Sequence, residues 1–270
     1  MNMPLMRSSA PLRDRLRARD ALVGAFQKLS AYHATELLGS GALDYIVLDT
    51  EHAAFSRREL DSCLLAARAA GLPCLVRLVD SSAESILAVL DMGATGVVIP
   101  RVSDAEKARA VVAAAHYASY GGSRGFSNSP RAGAYGASAM SEHIRQSDSS
   151  VVVICQIEDR DAVASIDAIA SVAGIDGLLV GPADLTLSYA QSSPRSPMIV
   201  DAIQAVAAAS AAKGVAAGIA IPDLGEGRQY AQAGFNFLLV GSDQSMIVRG
   251  SNALAREFQE NVAPLIKEKG

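Results

Sequence analysis

The sequence predicts an α/β chain folded as a single (β/α)8 TIM barrel, and three observations predict it. Short runs of β-branched and apolar residues recur eight times along the chain. These runs are continuously apolar rather than alternating, as in parallel strands buried on both faces. Each is followed by a polar segment and then by an alanine-rich stretch of helical composition. Eight such units in about 250 residues are what the barrel needs.

In chain order the first four strands are predicted at 21–26 (ALVGAF), 44–49 (DYIVLD), 74–78 (CLVRL) and 94–99 (ATGVVI). The second four are predicted at 151–157 (VVVICQI), 176–181 (DGLLVG), 215–220 (VAAGIA) and 236–241 (NFLLVG). Helices are predicted at 31–40, 57–70, 82–92, 104–117, 160–172, 199–213 and 224–233, with a closing helix at about 251–262. Several of them stop at a glycine before the next strand, in "ARAAGLP", "VLDMGATG", "AAKGVAAG" and "AQAGFNF". Glycine suits that position because it takes the left-handed conformation without penalty. A doubly wound open sheet is the alternative, but it would usually carry a glycine-rich fingerprint after its first strand, and "GAFQKLS" has none.

No linker divides the chain, so residues 1–270 are read as one barrel domain. The arginine-rich start, "MNMPLMRSSAPLRDRLRARD", has the composition of an organellar leader except for Asp14 and Asp20. An amphipathic helix over 10–20, leading into the barrel, is predicted instead. One segment breaks the rhythm: 118–150, rich in glycine and serine, between the fourth and fifth strands. It is read as a long functional loop.

Half of the 270 residues are hydrophobic, enough for a sizeable core, and the net charge of −4 gives no reason to expect a nucleic-acid partner. No apolar run reaches membrane-spanning length. Cys63, Cys74 and Cys155 lack C-x-x-C spacing and sit in apolar contexts, which reads as reduced thiols in a cytoplasmic protein.

Barrel enzymes react substrates at the C-terminal ends of their strands. The polar residues there are Asp49, Glu51 and His52 after strand two, Arg77 on strand three, Gln156 and Glu158 on strand five, and Asp184 after strand six. Each has a plain structural reading. Arg77 could pair with an acid, Glu158 could open a helix and Asp184 could cap one. Among the four histidines only His52 directly follows a strand. Taken together, two carboxylates with no cysteine beside them make a hard oxygen site suited to Mg²⁺ or Mn²⁺. An arginine there can stabilise an enolate, and a histidine beside acids can act as a general base. That combination points to enolisation of a 2-oxo acid, and hence to aldol chemistry.

"DTEH" at 49–52, "VR" ending 25 positions after that histidine, "QIE" at 156–158 and "GPADL" at 181–185 resemble the HpcH/HpaI aldolase/citrate lyase family of metal-dependent pyruvate aldolases. The resemblance runs from about residue 20 to 260. It implies a barrel of the phosphoenolpyruvate/pyruvate type and a small-molecule substrate, a 4-hydroxy-2-oxo acid cleaved to pyruvate and an aldehyde. It further implies a divalent cofactor, Mg²⁺, Mn²⁺ or Co²⁺, held by Glu158 and Asp184. Gln156 and the Gly181-Pro182-Ala183 backbone would contact pyruvate. Arg77 would stabilise the enolate and His52 would be the acid/base. Asp91, in "VLDMG", matches a family aspartate that makes the histidine more basic, although it ends a predicted helix at the opposite barrel face; Asp49 is the sterically simpler partner. Arg124 and Gly125 fit a family G-x-R-G stretch, but "YASYGGSRGFS" lacks the proline pair that often precedes it. The 118–150 loop is expected to touch the acceptor aldehyde. The resemblance also implies a homo-oligomer, a hexamer built as a dimer of trimers.

Three rivals differ in testable ways. A citrate-lyase-like enzyme would need a basic pocket for CoA phosphates. A Schiff-base aldolase would need a lysine, and the chain has five: Lys28, Lys107, Lys213, Lys267 and Lys269. A non-catalytic ligand-binding barrel would not need the metal ligands, arginine and histidine together.

Overall fold

The computed structural model describes residue 8 and residues 10–267; the predicted domain's ends at 1–7, 9 and 268–270, with Lys269, lie outside the described residues. Eight parallel strands close into a barrel in chain order. They are β1 (Leu22–Gln27), β2 (Tyr45–Asp49), β3 (Cys74–Arg77), β4 (Gly96–Ile99), β5 (Val152–Ile157), β6 (Gly177–Val180), β7 (Ala216–Ile221) and β8 (Phe237–Ser242). β8 returns to β1 with Leu22 opposite Phe237. Strands β2 to β6 are buried along their whole length, which is why they read as unbroken apolar runs.

Two apolar layers hold the barrel. Inside it pack Val47, Leu75, Val98, Ile154, Leu179 and Phe237. Phe237 fits because Gly218 faces it: a Cβ there would fall 2.1 Å from the ring. Helix α1 (Leu12–Arg17) is shorter than the predicted 10–20, and its Leu12 and Leu16 join this inner layer. Its buried Arg13 pairs with Asp176 at 2.9 Å. The second layer lies between the strands and the outer helices and includes Leu60, Leu64, Ile86, Val111, Ile203 and Val206.

The outer helices are α2 (Tyr32–Ser40), α3 (Arg57–Ala69), α4 (Ala83–Asp91) and α5 (Ala105–Ala115), then α10 (Pro197–Lys213) and α11 (Gly227–Gln232), numbered with the shorter helices given below. Ser56 opens α3 with a capping box, and Ser82 and Asp104 cap α4 and α5. The four glycines expected to end helices, Gly71, Gly93, Gly214 and Gly234, all take positive φ, from 60° to 98°.

Beyond shifts of a few residues at helix ends, the structure departs from the sequence reading in four places. The 160–172 stretch is two short helices, α7 (Arg160–Ala164) and α8 (Ile166–Ala170). A short helix, α9 (Pro182–Ser188), follows β6 directly, with proline at its first position where no N–H is needed. The closing helix, α12 (Asp243–Asn261), starts at the Ser242 cap rather than near 251, and α13 (Ala263–Lys267) follows it. The 118–150 segment is not one loop. It holds 3-10 turns at Ala118–Tyr120 and Arg131–Gly136 and a helix, α6 (Met140–Ser150).

Candidate active site

β2 ends in Asp49, at the C-terminal end of the barrel. Its carboxylate is fully buried and binds Arg77 of the adjacent strand at two points, Nε to Oδ1 at 2.9 Å and Nη2 to Oδ2 at 2.7 Å. Register explains the meeting: Asp49 lies opposite Arg77 in the β2–β3 ladder. Burial on its own would raise the Asp49 carboxyl, but hydrogen bonds and charge from Arg77, the His52 amide and Lys28 outweigh it and hold it below its ordinary value.

Asp49 also orients His52, but through the main chain: Oδ1 accepts the His52 N–H at 3.2 Å and the Glu51 N–H at 3.3 Å. The imidazole itself is half-exposed at the cavity wall, and its Nε2 lies 3.8 Å from Glu51 Oε2. The expected Asp49–His52 side-chain pair is therefore absent within the chain, because Arg77 and two amides already occupy the carboxylate.

Glu158 follows β5 and is buried. Its Oε1 accepts the Arg101 N–H at 2.8 Å, and Oε2 accepts from the Gln156 side-chain amide. Burial raises the Glu158 carboxyl, and the negative charges of Asp184 and Glu51 push it further, against the Gln156 and Arg101 hydrogen bonds. Asp184 sits in the first turn of α9 and lines the cavity. Gly181 keeps the space clear, since a Cβ there would lie 3.1 Å from both Gln156 Nε2 and Glu158 Oε2.

These residues fit a hard divalent cation. Glu158 and Asp184 lie close enough for their charges to interact. Among the described residues no cation of the chain is paired with either, and the buried Gln156 Oε1 has no hydrogen-bond partner. Among the described residues, no group of three or more histidine, cysteine, aspartate or glutamate side chains is arranged to hold a metal. Glu158 and Asp184 would therefore leave most coordination positions to water and substrate, as Mg²⁺ prefers.

One cavity of about 940 Å³ collects His52, Arg77, Gln156, Gly181, Pro182, Ala183 and Asp184. Its outer part is bounded by Leu187, Pro194, Arg195, Pro222, Glu226 and Tyr230. That volume lies near the upper end for small-molecule sites and holds far more than a three-carbon acid.

Two expected residues do not join this mouth. Asp91 ends α4, so it lies at the face where strands begin, opposite the C-terminal strand ends. There it pairs with Arg124 at 2.9 Å, while Arg124 also donates to Ser147 Oγ at 2.9 Å and stacks over Tyr117. The 118–150 segment lies between α5 and β5, and its Arg131 packs on the outer helices, pairing with Asp61 of α3 at 2.9 Å. No residue of 118–150 lines this cavity, so contact of the loop with the acceptor aldehyde stays a proposal.

Two mouth residues were not singled out from sequence as part of the site. Arg101 takes a left-handed backbone with φ of 53°, fixes Glu158 by its N–H, and reaches Glu51 Oε1 at 2.9 Å. Its position just past β4, in "VVIPRV", was the available signal. Lys28, considered only as a Schiff-base lysine, lies 3.3 Å from Asp49 Oδ2.

A closed parallel barrel with acids, an arginine and an imidazole gathered at its C-terminal strand ends has the layout of a (β/α)8-barrel enzyme. Comparison with known proteins narrows the class. The profile of the family described as HpcH/HpaI aldolase/citrate lyase matches residues 22–249. A hydroxypyruvate/pyruvate aldolase of Paraburkholderia phytofirmans is 32% identical over 255 residues, covering 92% of this chain and 97% of that one. A 5-keto-4-deoxy-D-glucarate aldolase of Escherichia coli is 33% identical over 246 residues, covering 91% and 95%. The crystal structure of a family protein from Burkholderia cenocepacia superposes with a TM-score of 0.87 at 31% identity, over 92% of this chain and 98% of that one. The chain belongs to the HpcH/HpaI aldolase/citrate lyase family, and within it to the aldolases. No helix among the described residues is long and apolar enough to cross a membrane.

Proposed function

We propose that this aldolase reversibly cleaves a 4-hydroxy-2-oxo acid to pyruvate and an aldehyde, with a divalent cation at Glu158 and Asp184. The observation that supports it is that Asp184, Gln156, Arg77 and His52 line one cavity of about 940 Å³, with Glu158 held behind it by the Gln156 amide and close enough to Asp184 for their charges to interact.

Mg²⁺, Mn²⁺ or Co²⁺ bound there would polarise the carboxylate and 2-oxo oxygens of the substrate. Gln156 and the backbone of Gly181, Pro182 and Ala183 bind the pyruvyl portion. In cleavage, His52 takes the proton of the 4-hydroxyl, directly or through one water. The C3–C4 bond breaks, the aldehyde forms, and the electron pair passes to the three-carbon fragment as its enolate. Arg77 faces the oxygen on which that charge develops. Return of a proton to C3 gives pyruvate.

The rivals find less support. The guanidinium groups lining the cavity are Arg77 and Arg195, each paired with a carboxylate at 2.7 Å, so the pocket is not the basic one that CoA phosphates require. Lys28 faces a carboxylate rather than an apolar pocket of the kind that activates an amine nucleophile. We further infer a cytoplasmic homohexamer, arranged as a dimer of trimers. Pyruvate screened against a panel of aldehydes, metal by metal, tests the reading. Turnover of some aldehyde with Mg²⁺, Mn²⁺ or Co²⁺ and none in EDTA supports it, and metal-independent turnover overturns it.

A further inference from the structure

Lys28 is built into the mouth from both ends. Its backbone N–H donates to Asp243 Oδ1 at 2.9 Å, and the next N–H, of Leu29, donates to Asp243 Oδ2 at 3.0 Å. Asp243 is buried at the start of α12, so the turn after β1 is clamped to the closing helix. From that anchor the side chain runs to Asp49, where Nζ lies 3.3 Å from Oδ2. The same oxygen accepts Arg77 Nη2 at 2.7 Å. One aromatic ring underlies both cations: the Arg77 guanidinium stands 4.4 Å and the Lys28 ammonium 5.6 Å from the Phe26 centroid.

The charge count at this point matters for the reaction. Arg77 with Asp49 alone is a neutral, two-point pair. A neutral pair offers an oncoming oxyanion a dipole but no net charge. Arg77 Nη1 also lies 3.6 Å from Glu51 Oε2, and Glu51 is paired in turn with Arg101 at 2.9 Å. The connected cluster without Lys28 is therefore two carboxylates and two cations. Lys28 makes it two carboxylates and three cations, leaving one positive charge beside the oxygen that Arg77 faces. Low-dielectric surroundings enlarge the effect, since Asp49 is fully buried and Arg77 nearly so.

We infer that Lys28 is a positioning residue for the enolate-stabilising arginine: its ammonium shares the Asp49 carboxylate, so that the Arg77–Asp49 pair meets the substrate with net positive charge. This rests on the aldolase reading above, and on Arg77 as the oxyanion partner. Lys28 forms no bond to substrate. Its part is electrostatic, and it fixes the carboxylate that in turn fixes both Arg77 and the His52 backbone.

The experiment uses the full-length, metal-loaded enzyme with Lys28→Met, Lys28→Gln and Lys28→Arg. Three quantities are read: kcat, the exchange of pyruvate methyl protons with D₂O, and inhibition by oxalate, a planar dianion with the two-oxygen edge of the enolate. Lys28→Met should lower kcat and the exchange rate by about 10–100-fold, the usual range for partners one shell removed. Oxalate should bind more weakly by a similar factor, while Mn²⁺ affinity stays at the wild-type value. Lys28→Arg, which keeps the charge, should recover most of both rates. Lys28→Gln gives the same reading if Lys28→Met does not fold. Wild-type exchange and oxalate affinity in a folded, uncharged variant would overturn the inference. So would a Lys28→Arg protein as slow as Lys28→Gln, or borohydride trapping of pyruvate on Lys28. Failure of the metal-dependent reading is separate, because it appears in the wild-type enzyme as turnover that survives EDTA.

Discussion

The Asp49 carboxylate grips the Arg77 guanidinium by both oxygens, at 2.9 and 2.7 Å, in a fully buried ion pair across neighbouring strands. A planar fork held this way cannot be replaced by a point charge. Arg77→Lys should therefore lower kcat by roughly 10²–10³, the range for a lost oxyanion contact. Asp49→Ala should do at least as much, because it releases Arg77 and the His52 backbone together. It also leaves a buried cation short of its main partner, which costs about 3–5 kcal/mol in comparable pairs. Denaturant unfolding of both variants, alongside kcat, checks this. A fully active, fully stable Asp49→Ala enzyme would show that the pair is not part of the machinery.

On the proposed reading, metal dependence rests on Glu158 and Asp184. Glu158→Gln and Asp184→Asn should each abolish turnover and weaken Mn²⁺ binding, followed by the paramagnetic signal of the free ion. The fold should persist, since neither side chain carries the barrel core. Arg101→Ala should be milder: its side chain leaves Glu51, but the backbone N–H that holds Glu158 remains. Normal Mn²⁺ affinity in Asp184→Asn would reduce that residue to the first turn of α9.

His52 reaches into the cavity without a side-chain acid at hydrogen-bond distance in its own chain. His52→Ala should lower kcat by roughly 10²–10⁴ and slow the exchange of pyruvate methyl protons with D₂O. Unchanged exchange in that variant would assign enolisation to another group.

A pH effect on stability is expected far from the mouth. His116 is buried, with Nδ1 3.3 Å from Asp148 Oδ1 and Nε2 without a partner. Burial lowers its pKa below the ordinary 6.5, and the Arg13 charge lowers it further, against the pull of Asp148. A histidine depressed in the fold is neutral in both states above its unfolded pKa, so nothing is lost there. As pH falls below about 6.5, the unfolded chain takes up the proton first, and stability declines until the folded pKa is passed. Thermal unfolding between pH 8 and pH 5 should show the loss, and His116→Gln should flatten it. A wild-type midpoint constant over that range would contradict the depressed value.

How much of this was legible in the sequence follows from where each signal resides. The eight strands were legible because burial on both faces leaves an unbroken apolar run. Helix α6 was not, because "MSEHIRQSDSS" carries few apolar residues and follows a glycine- and serine-rich stretch. The start of α12 was missed because "VGSDQS" reads as loop until Ser242 is seen capping Ser245. At the mouth, residues on strand ends were legible because the fold alone brings them together. Asp91 was placed at the opposite face by its helix end, whereas the motif match that singled out Arg124 carries no information about barrel face. Lys28 and Arg101 are isolated cations in sequence, and their role exists only through the carboxylates they reach.

Assembly is the last expectation, and the structure sharpens it. Leu254, Phe258, Val262 and Leu265 recur at near-helical spacing along α12 and α13, a face that could have covered its own barrel. It does not: their exposures are 69%, 44%, 43% and 59%. Ile247 and Val248 on the same helix are open as well. An exposed apolar helix face of this kind is a candidate contact surface, and we propose further copies of this chain as its occupant. The Asp91–Arg124 pair and the 118–150 segment, which do not line their own cavity, would then lie at a subunit boundary and could serve the acceptor end of a neighbour's cavity. Light scattering at micromolar protein should report several times 28.0 kDa. Leu254→Glu with Phe258→Glu should shift the mass downward without unfolding the barrel. Mixed oligomers give the sharper test: inactive His52→Ala and inactive Asp91→Asn proteins, dissociated and reassembled together, should regain activity if each chain completes the other's site. A fully active monomer of 28.0 kDa would reject both the assembly and the shared site.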